Sequence, residues 1–267
     1  MAELTVDNLV VTFGHGSSAF NAVDGVSLAV PHGTIVGLVG ESGSGKSTVA
    51  RTIAGLQKAS SGTVLLDGED LLASRGVDRR RRATQVQMIF QDPYSSLNPR
   101  MTIGDAIDEV LLTHTDAGSA ARRASVMELL DLVRLKANAI DQYPSQMSGG
   151  MRQRVAIARA LAVRPKLIVA DEITSALDAS VQGSVLNLIR DLQRELQLSM
   201  LFITHNLAAV RYIADTTAVM SNGRIVEHGP SAELVANPQH PYTQTLIEAI
   251  PRIENAGGDR LLQSLGA

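Results

Sequence analysis

The residues best suited to do chemistry lie in a glycine-rich loop between an apolar run and a helical pattern. The apolar run is Ile35 to Val39, and the loop has the spacing G-x-x-x-x-G-K-S from Gly40 to Ser47. Such a loop brings backbone N–H groups close to phosphate oxygens, and the following helix adds the positive end of its dipole. The residues expected to hold the phosphates are Gly40, Ser42, Gly43, Ser44, Gly45, Lys46, Ser47 and Thr48. We therefore predict a nucleoside triphosphate site rather than a Gly/Ser-rich surface turn.

Two side chains of this loop and two acids further along the chain extend the prediction to catalysis. Lys46 is expected to reach the β- and γ-phosphates, and Ser47 to place its hydroxyl on Mg²⁺. The apolar run 166–170 ends in Asp171, the candidate for the second Mg²⁺ contact, and in Glu172. Because side chains alternate along a strand, we expect Glu172 to point away from Asp171 and to polarise an attacking water as general base. The alternative is a pair of acids that merely ends a strand, and the presence of Lys46 upstream argues against it.

Composition limits the classes of protein to consider. The chain has 267 residues, 45% of them hydrophobic, and its 24 basic and 27 acidic residues give a net charge of −3. This charge gives no reason to expect nucleic-acid binding. The absence of cysteine excludes disulfides, thiolate catalysis, Cys-based zinc sites and iron–sulfur clusters. Residues 1–8 lack the features of a signal peptide, and no apolar run approaches the length of a membrane span, so we expect a cytosolic chain whose membrane role comes through a partner.

Alternating strand and helix patterns predict the elements that position the candidate residues. Residues 3–13 and 23–30 are typical of two strands that form an antiparallel flank. The later strands alternate with helices, which predicts a parallel sheet with helices on both faces and ligands at the C-terminal ends of its strands. The residues of interest that follow such ends are Gly45, Gln91, Asp171 and His205. We therefore expect these positions to lie along one edge of the sheet.

A helical region interrupts this alternation. Apolar residues recur with a spacing near 3.6 in residues 103–114 and 120–135, as in an amphipathic helix. The predicted fold is α/β, with a P-loop (RecA-like) core built on a parallel sheet, an antiparallel β flank and an inserted helical subdomain. The predicted domains are a nucleotide-binding core with its flank at 1–91 and 164–230, a helical subdomain at 92–163 and a C-terminal helical tail at 231–267.

The segment before the acid pair carries a resemblance to a known family. Ser148-Gly149-Gly150 is followed by an Arg/Ala-rich helical pattern, 151–161, and then by the Asp-Glu run, and this order resembles the signature region of ABC-type ATPases. The spacing agrees along nearly the whole chain. The resemblance implies ATP and Mg²⁺ as cofactors. It also implies roles for Gln91 as the Q-loop glutamine that serves catalysis and the metal, Asp178 in the D-loop, His205 as the switch histidine at the γ-phosphate, and Phe13 as the aromatic that stacks on adenine.

The same resemblance implies that two subunits act together. Ser148, Gly149 and Gly150 begin a helix whose free N–H groups favour an anion, although the chain's own loop already holds one. The resemblance identifies this anion as the γ-phosphate of an ATP bound to a second subunit. Two subunits would then sandwich two ATP molecules head to tail, and hydrolysis would separate them.

Three stretches are similar to the ATPases of oligopeptide, dipeptide and nickel importers. They are residues 90–100, the pair Ser175-Ala176, and residues 237–243 with their His-Pro-Tyr sequence. More closely, the chain resembles the second of the two different ATPase subunits of such importers. This implies as partners a second, different ATPase subunit, two transmembrane permease subunits and an extracytoplasmic solute-binding protein, with no nucleic acid. It also implies a peripheral location at the cytoplasmic face of the cell membrane.

Two positions depart from the family pattern, and several functions stay open. Ile173 stands where proline is usual, and Met151 stands where glutamine is usual, but neither change removes a catalytic group. The leading interpretation is an ATP-hydrolysing subunit that powers the import of small peptides. The alternatives are the same role for nickel or another solute, a soluble ABC ATPase acting on nucleic acid or ribosomes, and a regulatory module with an inactive site. The 125 positions from Lys46 to Asp171 leave too little room for the coiled coil of the soluble relatives.

Overall fold

Two β-sheets form the framework of the chain. The structure is a computed structural model that describes residues 3–72, 77–92, 96–175 and 177–248, with the backbone alone described at Ser17 and at residues 77–79. The strands are β1 Leu4–Phe13, β2 Phe20–Val30, β3 Ile35–Val39, β4 Ser61–Leu66, β5 Glu69–Asp70, β6 Val86–Ile89, β7 Leu167–Asp171, β8 Ser199–Thr204, β9 Thr216–Ser221 and β10 Arg224–Pro230.

The smaller sheet is the predicted antiparallel flank. Its four strands lie in the order β2-β1-β4-β5, and each neighbouring pair is antiparallel. Strand β1 alternates between buried residues such as Leu4 and Val6 and exposed ones, which is the pattern of a sheet with one face against the core. Strand β2 begins at Phe20, earlier than the predicted start at residue 23.

The larger sheet carries the candidate site. Its six strands lie in the order β10-β9-β3-β8-β7-β6, with β3, β6, β7, β8 and β9 parallel and β10 paired antiparallel to β9. All residues of β3, β7 and β8 are buried, as expected for central strands of a parallel sheet. The C-terminal ends of these strands therefore meet at one edge, where the predicted site residues follow them.

Helices fill the connections between the strands. They are α1 Lys46–Ile53, α2 Val77–Gln85, α3 Ile103–His114, α4 Ser119–Leu132, α5 Gly149–Leu161, α6 Ala179–Leu196, α7 Leu207–Ile213, α8 Ser231–Ala236 and α9 Pro241–Glu248. Helices α3, α4 and α5 all lie between β6 and β7 and contact one another. This stretch corresponds to the helical subdomain expected at 92–163, and the domain boundaries themselves stay a prediction.

The two faces of β3 belong to different hydrophobic clusters. Ile35 and Val39 pack with apolar residues of α5, α6 and α7, whereas Val36 and Leu38 pack with the antiparallel sheet and α1. Helices therefore lie on both faces as expected, and on the side of α1 the antiparallel sheet packs as well. The apolar face of the antiparallel sheet covers most of one side, because its strands must bury their own alternating apolar residues there.

Candidate nucleotide-hydrolysing site

The loop from Gly40 to Ser47, called the phosphate loop below, is held in a backbone shape that only glycine adopts readily. Gly40, Gly43 and Gly45 have φ values of +156°, +82° and +107°. A Cβ on Gly40 would lie 2.1 Å from the carbonyl oxygen of Met220, and one on Gly45 would lie 2.3 Å from that of Ala22. Nothing lies within 4 Å of the corresponding position on Gly43, so that part of the loop faces open space.

Lys46 is the buried cation of the loop. Its Nζ donates to the carbonyl oxygens of Gly40, at 2.7 Å, and Glu41, at 2.6 Å, and lies 3.3 Å from the hydroxyl of Ser44. Burial lowers the pKa of Lys46, and the nearby carboxylates of Glu172, Asp171 and Glu41 offset part of that effect. Phosphate oxygens are stronger acceptors for an ammonium group than neutral carbonyls, so the arrangement fits a triphosphate.

Ser47 and Asp171 bring two oxygen ligands together from different elements. The Ser47 hydroxyl at the start of α1 donates to Oδ1 of Asp171 at the end of β7, over 3.1 Å. Asp171 is buried, and this burial raises the pKa of its carboxyl group. A hydroxyl and a buried carboxylate are the hard oxygen donors that Mg²⁺ prefers, and a cation there would offset the cost of burying the charge.

Glu172 turns out of β7 instead of continuing it. Its φ of +49° is left-handed, and its N–H donates to the carbonyl oxygen of Ile203 over 2.9 Å. The strand ends at Asp171, so the argument from strand alternation is wrong although the two carboxylates do point to different places. The left-handed turn, a conformation that costs a residue with a Cβ about 1–3 kcal/mol, is what directs the Glu172 side chain.

The Glu172 carboxylate meets the residues that follow two neighbouring strands. Its Oε2 accepts from Nε2 of Gln91 over 3.1 Å, and its Oε1 lies 3.5 Å from Nδ1 of His205. Gln91 and His205 come shortly after β6 and β8, the strands on either side of β7. The side chain of Glu172 is largely shielded from solvent, whereas that of His205 is 57% exposed.

Ser175 belongs to this cluster, although the resemblance placed it only in the D-loop stretch 175–178 and gave its side chain no role. Its hydroxyl donates to the carbonyl oxygen of Glu172 over 2.8 Å and accepts from Nε2 of Gln91 over 3.3 Å. The hydroxyl therefore links the turn at Glu172 to the amide of Gln91. The sequence signal available was the position of Ser175 just after the acid pair, which does not reveal where its hydroxyl points.

The signature segment lies at the surface and begins α5. The hydroxyl of Ser148 accepts from the N–H of Met151 over 3.3 Å, which is an N-cap, so the helix starts at Gly149, on the glycines where the sequence predicts its start. Ser148 is exposed, Gly149 is half-buried, and Gly150 packs so closely on Val181 that a Cβ would lie 2.4 Å from its Cγ1. The outer end of the segment is therefore free to meet another molecule.

Asp178 has a local role in the structure. Its carboxylate accepts from the N–H of Val181, over 3.0 Å, and from the hydroxyl of Ser180, over 2.7 Å, and so caps α6. These hydrogen bonds hold the pKa of Asp178 below its ordinary value. The neighbouring Ala176 lies outside the described residues, so the structure adds nothing about the Ser175-Ala176 pair as a whole.

Phe13 forms an exposed aromatic pair with a residue that the sequence reasoning did not select. The rings of Phe13 and Phe20 stack with their centres 6.0 Å apart and their planes 29° from parallel. Phe20 is 61% exposed, and β2 runs from it to Ala22, whose carbonyl faces Gly45 of the phosphate loop. Two aromatic faces are therefore available near the loop, and the register of β1 with β2 is what brings them together.

The two departures from the family pattern are accommodated by packing. Ile173 is buried at 1% exposure in the larger hydrophobic cluster, and Met151 packs partly buried against the same cluster. Neither side chain replaces a hydrogen-bonding group of the cluster around Glu172.

A P-loop ATPase is the class that this fold and site define. A family model described as ABC transporter matches residues 23–175, and a second, described as oligopeptide/dipeptide transporter, C-terminal region, matches residues 226–265. The chain thus belongs to the ATP-binding, ATP-hydrolysing subunits of ABC transporters, in the oligopeptide/dipeptide branch.

Relatives and solved structures agree with this assignment. The chain is 47% identical over 258 residues to the oligopeptide transport ATP-binding protein OppF of Lactococcus lactis, a match that covers 94% of this chain and 81% of that protein. It is 44% identical to the di/tripeptide transport ATP-binding protein DppF of Pseudomonas aeruginosa, over 89% of this chain and 74% of the relative.

Two solved structures share the fold. A dimeric ATP-binding cassette in a post-hydrolysis state, bound to ADP and Pi, superposes with a TM-score of 0.77 at 27% identity, over 85% of this chain and 98% of that one. The cbiO1 protein of Clostridium perfringens, part of an ABC transporter complex, gives a TM-score of 0.79 at 26% identity, over 88% and 90%.

Proposed function

We propose that this chain hydrolyses ATP to power the import of small peptides across the cytoplasmic membrane. Two observations support the proposal. The relatives with 44–47% identity are named as peptide transport ATP-binding proteins, and the C-terminal family match covers the His-Pro-Tyr segment. Import of nickel or another solute by the same machinery, and action on nucleic acid or ribosomes, are less favoured because the names of these relatives speak of peptides.

The observation that carries the hydrolytic part is the convergence of Gln91, Glu172 and His205 beside the phosphate loop. In the proposed mechanism, Lys46 and the loop amides would hold the phosphates, and Ser47, Asp171 and Gln91 would hold Mg²⁺, whose positive charge would offset the negative charge of the phosphates. Glu172 accepts a proton from the attacking water, and the amide of Gln91 orients that carboxylate.

Further proposed contacts come from the edges of the site. His205 holds the γ-phosphate from its exposed position, and Phe13 stacks on adenine, a contact worth about 1–3 kcal/mol for base–aromatic pairs. Asp178 and the segment Ser148 to Gly150 face the second nucleotide, which a partner subunit would bring to them.

As a subunit of an ABC importer, the chain works with membrane permeases. None of the helices in the described ranges has the length and hydropathy of a membrane span. We propose a peripheral position on the cytoplasmic face, with two permease subunits, a second and different ATPase subunit, and an extracytoplasmic solute-binding protein in the same system.

A groove between β6 and α5 suits the permease contact. It has a volume of about 470 Å³, and Phe90, Ser96, Val110 and Arg159 are among its lining residues. Phe90 is exposed at its mouth, directly before Gln91, so a permease helix seated there would touch the segment that bears the catalytic cluster. The loop 94–98, which follows Gln91, is also proposed to touch the permease, and its residues Tyr94 and Ser95 lie outside the described residues.

The change Glu172→Gln tests this function. The amide keeps the shape of the side chain and removes the base, so we expect ATP binding to persist and turnover to fall by about 10²- to 10⁴-fold. The measurement is ATP hydrolysis and the uptake of a labelled dipeptide by the assembled transporter in membrane vesicles. Turnover of the variant within a few-fold of the unmodified complex would overturn the general-base assignment. If the unmodified complex hydrolyses ATP but takes up no peptide, the proposed substrate class is wrong.

A further inference from the structure

The C-terminal segment, residues 237–248, makes direct contact with the phosphate loop. The phenolic oxygen of Tyr242 accepts a hydrogen bond from the backbone N–H of Glu41 over 3.0 Å. The two residues are 201 positions apart, so the tertiary fold alone brings them together. Because this N–H belongs to the phosphate loop, the Tyr242 hydroxyl restrains the backbone of that loop.

A chain of hydrogen bonds fixes the position of this tyrosine. The carboxylate of Glu227 in β10 accepts from the N–H groups of Gln239, over 2.8 Å, and His240, over 3.0 Å. Nδ1 of His240 then accepts from the N–H of Tyr242 over 3.2 Å. Burial raises the pKa of Glu227, but the N–H groups of Gln239 and His240 help to lower it overall, as expected for an anchored carboxylate.

Apolar packing holds the rest of the segment. Thr243 is fully buried, and Tyr242, Leu246 and Ile247 pack against the larger hydrophobic cluster. Helix α9, which begins at Pro241, is therefore docked on the core and cannot swing freely. This packing fixes the position of the Tyr242 hydroxyl relative to the loop.

The peptide unit between Gly40 and Glu41 is held at both ends. Its carbonyl oxygen accepts from Nζ of Lys46 over 2.7 Å, and its N–H donates to Tyr242. A peptide unit is planar, so fixing both polar ends fixes its orientation and thereby the direction in which the loop leaves β3. When Lys46 turns to the phosphates, the contact with Tyr242 still restrains this unit.

We propose that Tyr242 is a positioning residue for ATP binding, which holds the phosphate loop in its binding shape through the N–H of Glu41. The inference rests on the proposed role of that loop in holding the phosphates. Tyr242 touches no phosphate itself. Its hydroxyl lowers the cost of ordering the loop when ATP arrives, so its loss weakens nucleotide binding and leaves the chemical step alone.

The test is Tyr242→Phe in the assembled transporter, which removes the acceptor and keeps the ring that packs on the core. Because one hydrogen bond is lost, we expect the KM for ATP to rise about two- to tenfold, with kcat within about twofold. The melting temperature of the nucleotide-free protein should fall by no more than about 2–4 °C, as expected for the loss of one hydrogen bond. An unchanged KM, or a fall confined to kcat, would overturn the inference.

Two reference variants separate this inference from the function on which it rests. Tyr212→Phe removes a hydroxyl that donates to Asn187, away from the loop, and should leave the KM for ATP unchanged. Lys46→Ala should strongly weaken ATP binding at this chain's loop, because the positive charge that pairs with the phosphates is lost. If Lys46→Ala binds ATP normally, the assignment of the loop to phosphate binding is wrong. If Lys46→Ala binds ATP poorly while Tyr242→Phe binds it normally, only the proposed role of Tyr242 is wrong.

A double-mutant cycle tests whether Glu227 acts on the loop through Tyr242. Glu227→Ala releases the turn at Gln239 and His240, so it should raise the KM through the same contact as Tyr242→Phe. The double variant should then be no worse than the poorer single variant. A double variant whose KM rises by the product of the two single effects would show independent actions and would contradict the proposed chain of contacts.

Discussion

Adjacent acids with different surroundings are the main feature of the site at the level of single residues. Asp171 is the last residue of β7 and is buried against Ser47, whereas Glu172 has a left-handed backbone and turns towards Gln91 and His205. Because their backbone conformations differ, these adjacent residues direct one carboxylate to the proposed metal site and the other to the proposed site of the attacking water. Their assignment to distinct roles follows from this geometry.

The change Asp171→Asn tests the metal role. The amide oxygen can still accept from Ser47, but the negative charge that Mg²⁺ requires is lost. We expect the Mg²⁺-dependent gain in ATP affinity to disappear. Because burial raises the pKa of Asp171, its charge is unfavourable in the nucleotide-free fold, so the melting temperature without nucleotide should rise.

A matched control is the same change at an exposed carboxyl, Asp116→Asn, in the connection between α3 and α4. It should alter neither the melting temperature nor the response to Mg²⁺. If Asp171→Asn keeps its full response to Mg²⁺, the metal assignment of this carboxylate is wrong.

Spacing along the chain predicted most of the residues that meet at the site. Lys46, Asp171, Glu172 and the strand-end positions Gln91 and His205 all follow from the position of polar residues after apolar runs, because parallel strands end at one edge.

Contacts between distant segments could not be predicted in this way. The hydroxyls of Ser175 and Tyr242 reach their partners through turns and docking surfaces whose geometry is absent from any local pattern.

Strand β3 and helix α7 make a close contact beneath the loop. A Cβ on Gly37 in β3 would lie 2.6 Å from Cγ1 of Val210 and 3.3 Å from Cβ of Ala214. Helix α7 begins shortly after His205, so the distance between this helix and β3 also helps to place the histidine. A glycine at position 37 is what allows the helix to approach.

The variant Gly37→Ala should push α7 away from β3. Overpacking of this kind costs about 1–3 kcal/mol in the free energy of unfolding, measured by urea denaturation. The control is Gly229→Ala in β10, where nothing lies within 4 Å of the new methyl group and no loss of stability is expected. Equal denaturation midpoints for the two variants would contradict the close approach of α7.

The spacing of apolar residues predicted where the helices and strands lie. It does not predict what packs over each face of the sheet or where each helix ends. Helix α5 begins on its glycines as predicted, although the Ser148 cap that sets this end is a side-chain contact and not part of the apolar period. The cover over one face of the larger sheet was not predicted, because strand patterns do not say which surface a flanking sheet packs against.

At the scale of the whole molecule, the proposed mechanism needs a second subunit to complete the site. Lys46 and Glu172 lie at the chain's own loop, whereas Ser148 and the D-loop residue Asp178 lie at the surface. By the head-to-tail arrangement that the family resemblance implies, each composite site takes its loop from one subunit and its signature segment from the other.

Mixing two variants of this chain tests whether the second subunit is a different protein. In a homodimer, pairing Lys46→Ala with Ser148→Arg places both lesions in one composite site and leaves the other intact. In the proposed heterodimer each complex contains one copy of this chain, so mixing restores nothing. We therefore expect ATPase activity of the co-expressed variants, with the permease present, to equal the mean of the two separate preparations.

The control for the mixing experiment is each variant co-expressed with the unmodified chain, which shows that both are assembled. Activity of the mixture clearly above the mean of the separate preparations would mean that two copies of this chain pair with each other. The proposal of a second, different ATPase subunit would then fall.

The central place of β3 has a consequence for synthesis of the protein. Val39, which leads into the phosphate loop, pairs with Thr204 of β8 and Val219 of β9, so both neighbours of this early strand arrive late. About 180 residues separate Val39 from Val219, and at about 5–20 residues per second a ribosome needs roughly 9 to 36 seconds to make them. Throughout that interval the edge of β3 that pairs with β9 has no native partner, and an unpaired apolar strand edge of this kind is prone to aggregation.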